Sequence, residues 1–275
     1  MKQLTACAAL LLSQLLPGCA GLPTAAPELA QVRALAAGEH VLPAFGELAL
    51  RHRDSYARLR PYLSPQQDAS EQVLDRQRRA MHADVALIQR GVSLYLQALG
   101  RLAGQEYLSL DNEIKAAGSA IRAWPDSGIV DRDVAAYTAV LRLLARLQGE
   151  AGQRAQLAHV LREGDDAVQT LLSTLASLLR LYDKAGDNER DIVLGQLEMD
   201  LAFADTPQQR LLVVLARTLQ QSKTEEYRLY GLRHTLAGQQ LAALAREHAR
   251  LAKAGTHIPE ATWTDHQAAN AAKRP

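Results

Sequence analysis

The residues that could carry catalytic or metal chemistry are not spaced for it. None of the eight histidines follows a glutamate by three residues, as the ligands of di-iron bundles do. No two histidines lie four residues apart, which is the spacing of zinc proteases. The Gly-x-Ser-x-Gly turn of α/β hydrolases and a glycine-rich phosphate loop are also missing from the sequence. We therefore expect a protein that is not an enzyme and holds no cofactor or metal.

The two cysteines lie in or just after an apolar segment at the start of the chain. The segment extends from Leu4 to Leu16, and its length of about 13 residues is shorter than the roughly 20 that cross a bilayer. A lysine before such a segment and small residues after it are typical of a secretory signal peptide. Cys7 lies inside the segment and would be removed with it, which leaves Cys19 as the cysteine with a chemical role.

The stretch Leu16-Pro17-Gly18-Cys19 resembles the lipobox of bacterial lipoproteins. This resemblance implies that residues 1–18 are cleaved and that the Cys19 thiol carries a diacylglyceryl group, with a further acyl chain on the new amine. Two or three acyl chains would make attachment to the membrane effectively permanent. The alternative is an ordinary signal peptide with an incidental cysteine, or an uncleaved anchor.

The residue after the cysteine bears on the destination. In lipoproteins of enteric bacteria an aspartate at this position favours the inner membrane, and here Ala20 occupies it. The resemblance therefore implies the outer membrane of a Gram-negative bacterium, with the protein facing the periplasm. Residues 19–27 contain two prolines and no charge before Glu28, so we expect them to form a flexible tether.

The composition of the remaining chain predicts an all-α protein. Without residues 1–18 it has 30 basic and 30 acidic residues, because only Lys2 is lost, so there is no basic excess of the kind that nucleic-acid binders show. Only 4% of the residues are aromatic, and alanine and leucine, which favour helix, are abundant. With Cys19 lipidated no disulfide can form, and packing must stabilise the fold.

Apolar residues spaced by three and four predict long amphipathic helices. One such set lies between Met81 and Leu102 and another between Val168 and Tyr182. Two similar capping boxes, Ser64–Gln67 and Thr206–Gln209, each place proline at the first helical position and predict two helix starts. The predicted helices cover residues 27–62 with a break near Pro43, 65–102, 109–123, 131–163 (loosened near Gly149 and Gly152), 165–203 (where Gly186 could interrupt the helix) and 207–254.

These elements predict an elongated, antiparallel, all-α bundle of five to six helices, several of them long, over residues 28–255. Residues 256–275 are polar and rich in alanine, and we expect a disordered tail there. Four aspartates are interpreted as residues of helix starts rather than as acid catalysts: Asp111, Asp131, Asp165 and Asp187.

Residues 92–161 also resemble a loose set of uncharacterised helical envelope lipoproteins. The similarity lies in Tyr95–Leu99, in Leu102–Gly104, in Leu110–Asp111 and in the leucine-rich segment Val140–Leu147. The resemblance implies a helical fold and brings no known activity.

Few single residues are candidates for function. His248 lies between Leu244 and Leu251 at helical spacing, so it either faces inward as a pH-sensitive or ligand-binding group or sits at a frayed last turn, where the helix dipole favours it.

Four other side chains could form a partner surface. Tyr227 and Tyr230 are flanked by charged residues, and Arg76 and Arg79 belong to a basic run that could instead be an ordinary solvated face.

Long helices with mixed charge on a membrane anchor suit a non-enzymatic interaction or scaffold protein that binds another envelope protein. A protector against a toxin or a lytic enzyme would be one form of it. The alternative is a carrier that holds a small apolar molecule or a lipid between its helices.

Overall fold

The structure, a computed structural model, describes residues 29–106, 108–118, 120–147, 154–204 and 209–254. Within these ranges the chain is mainly helical and contains no β-strand, which confirms the predicted all-α class. The α-helices are α1 (Leu29–Ala37), α2 (Leu42–Arg53), α3 (Ser55–Leu59), α4 (Pro65–Ala103), α5 (Asp111–Ala117), α6 (Asp131–Arg146), α7 (Arg154–Ala202) and α8 (Arg210–Ala254). The predicted signal peptide, tether and C-terminal tail lie outside the described residues.

Helix α4 forms as its sequence predicts. The Ser64 hydroxyl accepts a hydrogen bond from the backbone N–H of Gln67, the Gln67 side chain accepts one from the N–H of Ser64, and Pro65 is the first helical residue. The helix ends before Gly104. All seven apolar residues predicted to share one face, from Met81 to Leu102, are buried. The similar capping box at Thr206–Gln209 falls mostly outside the described residues.

Helices α7 and α8 form a long antiparallel hairpin around which the rest of the bundle is arranged. They contain 49 and 45 residues, so α7 is roughly 70 Å long. Helices α2, α4 and α6 also contact α7. Most buried side chains belong to one large core, and a smaller cluster of Leu59, Val193, Leu197 and Tyr227 lies near the end of the hairpin.

The segment before α4 is more divided than predicted. Residues 27–62 are predicted to form one helix with a break near Pro43, and their described part forms three short α-helices, with one 3-10 turn at Gly38–Val41 between α1 and α2 and another at Arg60–Tyr62 after α3. Pro43 lies in the first turn of α2, where its missing N–H needs no partner.

Three predicted helices have wrong boundaries. The helix predicted over 131–163 ends at Arg146, and residues 154–163 belong to the next helix. The helix predicted over 109–123 ends at Ala117, because Gly118 adopts a positive φ of 75° that the helix cannot continue. The helix predicted to start at Asp165 starts at Arg154 instead and continues without a break to Ala202. Asp165 and Asp187 therefore lie inside α7 and cap nothing, whereas Asp111 and Asp131 lie in the first turns of α5 and α6.

Two glycines inside α7 leave room for tyrosine rings rather than breaking the helix. A Cβ atom at Gly164 would lie 2.8 Å from the Tyr95 ring of α4. A Cβ atom at Gly186 would overlap the Tyr230 ring of α8. The glycines thus allow buried tyrosines to pack directly on the α7 backbone.

Gly186→Ala should therefore lower the free energy of unfolding, by about 1–3 kcal/mol, because the displaced Tyr230 ring outweighs the gain in helix propensity. Gly195→Ala is the matched control in the same helix. A Cβ at Gly195 meets nothing within 4 Å, so this variant should gain about 0.5–1 kcal/mol. Urea unfolding monitored by circular dichroism measures both changes, and a stabilised Gly186→Ala would contradict the packing argument.

Candidate functional site

Tyr227 and Tyr230 lie inside the bundle rather than on its surface. They are 6% and 8% exposed and face α7 and α2, so they are not available as an exposed contact patch. The Tyr227 hydroxyl donates a hydrogen bond to Glu189 Oε1 at 3.1 Å, and the Arg51 guanidinium stacks on the Tyr230 ring at 4.4 Å. The predicted partner surface at these two residues is therefore wrong, because both tyrosines pack on a buried polar cluster.

Glu189 is the centre of that cluster. Its side chain is 3% exposed, and both of its oxygens accept hydrogen bonds from Arg58 at 2.8 Å. Arg51 lies 3.5 Å from the same carboxylate and 2.9 Å from Glu226. The arginines belong to α2 and α3 and the glutamates to α7 and α8, so the cluster ties the short helices to the hairpin.

The cluster is built for stability rather than for reaction. Burial alone would lower the pKa of Arg58, but the hydrogen bonds and charge of Glu189 raise it above the ordinary value. Burial raises the pKa of Tyr230 to about 12. Both groups therefore keep their protons at neutral pH, and neither is a nucleophile or base.

Two histidines lie beside the Glu189 cluster. His52 stacks on the Tyr182 ring with centroids 4.3 Å apart, and burial together with the charges of Arg78 and Arg58 lowers its pKa to about 3. Burial is also the main cause of the lowered pKa of His234, whose Nδ1 lies 4.0 Å from Asp183. Both rings therefore stay neutral in the folded protein at physiological pH.

His248 faces inward, which was one of the two alternatives. It is fully buried; its Nε2 lies 2.9 Å from the Tyr95 hydroxyl and its Nδ1 lies 3.0 Å from Asp165 Oδ1. Burial lowers the pKa of His248 although the nearby carboxylate opposes this, and burial raises the pKa of Tyr95.

The order carboxylate, imidazole, hydroxyl is that of a general-base relay. The Tyr95 hydroxyl is closed off from substrate, however, because the tyrosine is 0% exposed. This chain of hydrogen bonds therefore links α4, α7 and α8 and offers no reacting atom.

Arg76 and Arg79 lie on the exposed face of α4. Arg79 pairs with Asp75 at 2.8 Å and lies 3.6 Å from Asp54, which balances its charge. The arrangement matches the solvated face that was the alternative to a partner surface.

A groove of about 590 Å³ lies between α6 and α7. Small side chains such as Ala139, Ala145 and Ala167 line it, and an ion pair between Arg146 and Glu163 lies at its edge. Its volume is in the range of small-molecule sites. Among the described residues no group of three His, Cys, Asp or Glu side chains could hold a metal ion, and no helix is long and apolar enough to span a bilayer.

The most unusual feature is an exposed apolar surface on the hairpin. Of the fifteen large apolar side chains found exposed in the described ranges, ten lie between Met199 and Leu236. Phe203, near the end of α7, is 86% exposed. Large apolar side chains left exposed together in one region are typical of interaction sites in soluble proteins.

Seven leucines of α8 form one stripe on its outer side, each 40–72% exposed. This leucine stripe consists of Leu211, Leu212, Leu215, Leu219, Leu229, Leu232 and Leu236. A second seam of α8, which includes Tyr230, Ala237 and Leu241, is buried against the bundle and lies about 100° around the helix from the stripe. Helix α8 therefore has two apolar seams, and only one is covered within the described part of the chain.

The sequence contained the signal for this stripe. Steps of three and four connect Leu212, Leu215 and Leu219, and also Leu229, Leu232 and Leu236. Periodicity identifies apolar faces but does not tell which of two faces on one helix the bundle covers. The sequence alone therefore does not predict that this stripe is exposed.

Comparison with known proteins gives no relative: no family model matches the chain, and neither a curated protein nor a solved structure matches it.

Glu189→Gln should destabilise the protein by about 3 kcal/mol, because it removes the counter-charge of the partly buried Arg58, whereas Arg51 keeps its ion pair with Glu226. The exposed Glu198 of the same helix supplies the control, and Glu198→Gln should change stability by less than about 0.5 kcal/mol. Urea midpoints at constant slope measure both variants. Equal midpoints would show that the ion pairs contribute nothing to the fold.

The lowered pKa of His52 makes stability fall with acid. Between an unfolded pKa near 6.5 and a folded pKa of about 3, the unfolded chain binds a proton that the folded chain does not. Lowering the pH from 8 to 5.5 should therefore cost about 1.4 kcal/mol through this residue alone. His52→Phe keeps a ring on Tyr182 and should lose that part of the pH dependence. Unfolding curves at the two pH values test this, and an unchanged difference between them would contradict it.

Proposed function

We propose that this protein is a non-enzymatic interaction or scaffold protein of the bacterial envelope, anchored by lipid at Cys19 to the outer membrane and facing the periplasm. The leucine stripe and the exposed end of the hairpin are its contact surface for a protein partner. The observation that carries the proposal is the apolar stripe itself, since a solvated helix face is ordinarily polar. Blocking an incoming toxin or lytic enzyme would be one such interaction.

The position of the stripe relative to the N-terminus supports this proposal. Helix α1 lies beside the C-terminal end of α8, where the Arg250 guanidinium donates a hydrogen bond to Gln31. Leu211 lies about 60 Å from Arg250 along α8. The nine residues between Cys19 and Leu29 let these two positions lie at most about 35 Å apart. A chain anchored at Cys19 can therefore extend the hairpin end away from the membrane surface.

The buried clusters suit a surface of this kind. Glu189 and its arginines hold the hairpin against α2 and α3, close to where the exposed surface begins. A helix held in one orientation loses less conformational freedom on binding, so more of the contact energy appears as affinity.

A carrier is the second candidate, and the groove between α6 and α7 favours it. Its alanine lining would accept an apolar chain, and Arg142 and Arg146 could face an anionic headgroup. Native mass spectrometry of the purified protein would reveal a lipid that is bound there in addition to the covalent anchor.

Cys19→Ala should release the protein from the membrane fraction into the soluble periplasm, because the acyl chains supply the attachment. Cys7→Ala is the matched control, since Cys7 lies in the predicted signal peptide, and it should leave the protein in the membrane. Fractionation of cells that express each form measures this. A Cys19→Ala form that stays in the membrane would overturn the lipid anchor.

The same cells test the contact surface. A photo-crosslinking residue at Leu232 should capture a protein, and one at Leu181, which is exposed on α7 outside the stripe, should not. If Leu232 captures nothing and the protein carries a non-covalent lipid, the interaction proposal is wrong and the carrier replaces it.

A further inference from the structure

The leucine stripe has the spacing of a coiled-coil seam. Leu212, Leu215, Leu219, Leu229 and Leu236 fall in one heptad register in which the steps alternate between three and four residues. The register has eight positions over the 25 residues from Leu212 to Leu236, five of them leucine, and this length of about three and a half heptads favours a helix partner.

The centre of the stripe is polar. Ser222 and Glu226 occupy the two heptad positions between Leu219 and Leu229, and Glu225 lies beside them. An apolar lipid layer would remove water from these groups, and the carboxylates of Glu225 and Glu226 are partly exposed although they pair with Arg228 and Arg51, so covering them with lipid is costly. A protein helix with matching polar groups at its own centre covers the stripe at a lower cost.

We propose that this helix is α8 of a second copy of the chain, packed antiparallel to the first about a two-fold axis near Thr224. The inference rests on the proposed function and names the partner at its surface. In this arrangement Leu212 lies opposite Leu236 of the second copy, and Leu219 lies opposite Leu229. The polar centre of one stripe then meets the polar centre of the other, because a two-fold axis places the centre of a stripe against itself.

Charge favours the antiparallel direction. A parallel pair in register would place Arg233 on Arg233 in the seam, and such a like-charge contact is unfavourable. The antiparallel pair places Glu226 opposite Ser222. It places Arg233 opposite Leu215, where the arginine stem can cover the leucine and keep its charge in water.

The surface near the axis is also charge-balanced. Arg228 Nη2 lies 2.6 Å from Glu225 Oε1 within one copy. The two-fold axis places two such pairs next to each other, one from each copy. The glutamates of one copy then have basic groups of the other copy nearby, so the two acidic centres do not repel each other.

The first experiment measures the oligomeric state of the full chain extracted from membranes, with light scattering corrected for detergent. We expect twice the monomer mass at micromolar concentration. Leu229→Glu combined with Leu236→Glu should weaken the dimer by about tenfold or more, since it buries charge in the seam. Leu181→Glu, an equally accessible leucine on α7, should leave the dimer unchanged. All three positions are exposed, and circular dichroism checks that the fold persists.

The second experiment tests the direction of pairing. Leu219→Cys and Leu229→Cys are made as separate variants and mixed under oxidising conditions. An antiparallel pair should give a disulfide between the two different variants and little within either one, whereas a parallel pair should link each variant to itself.

Each remaining outcome is decisive. A monomer at all concentrations overturns the dimer, as does a dimer that survives the stripe substitutions or a parallel disulfide pattern. If the protein is monomeric but Leu232 captures another envelope protein, the dimer is wrong and the proposed function stands. If it is monomeric and Leu232 captures nothing, both are wrong.

Discussion

The bundle depends on α7, because every other long helix of the described residues packs against it. Helices α4, α6 and α8 all contact it, and the short helix α2 contacts it as well. Such crowding is possible only if large side chains can approach the α7 backbone closely. Gly164 and Gly186 provide that approach for Tyr95 and Tyr230, two of the few aromatic residues in the chain. A core with few aromatic residues is thus organised around two sites where a ring meets a helix with no side chain in between.

Polar groups mark the same contacts. Tyr95 packs on Gly164 and shares a hydrogen bond with His248, while Tyr230 packs on Gly186 and holds the Arg51 guanidinium above its ring. The buried charge of Glu189 is matched by Arg58 in a two-point contact, which is the geometry in which a carboxylate and a guanidinium interact most strongly. Apolar packing is compatible with many rotations of one helix against another, whereas these polar contacts are compatible with only one rotation. They therefore fix the register of α7 against α8 and α2.

The sequence alone predicts the fold class and the long helices, but it does not predict the segments that connect them or how the helices contact one another. The faces of α4 and of the middle of α7 follow from periodicity, and the start of α4 follows from the Ser64 capping box. Glycine positions gave wrong helix predictions. Gly186 was predicted as a possible break in the helix, but it is a site where a ring packs closely. A glycine suits either role, and the sequence alone does not tell which of the two it has. Asp165 looked like a helix start because its true partner, His248, is 83 residues away in sequence.

The sequence alone also does not predict which side chains form the exposed surfaces. Tyr227 and Tyr230 are flanked by charges in sequence, yet the seam of α8 turns both rings inward, which only the packing against α7 determines. Conversely, the leucines on the outer side of α8 have the spacing of a core face and remain exposed. Nothing local distinguishes a leucine that meets α7 from one that meets solvent, since both satisfy the same helical period.

Two apolar seams on one helix constrain the protein more than one does. The covered seam packs on α7, and two of its residues, Tyr227 and His248, form hydrogen bonds inside the bundle. The exposed seam contains mainly leucine, with Ser222 and Glu226 at its centre and Arg233 as the one polar residue near an end. A seam that served only solubility would scatter charge along its length, and a seam that entered lipid would exclude it. Leucine at both ends with polar groups between them suits a helix of the same pattern lying in the opposite direction, and α8 has that pattern.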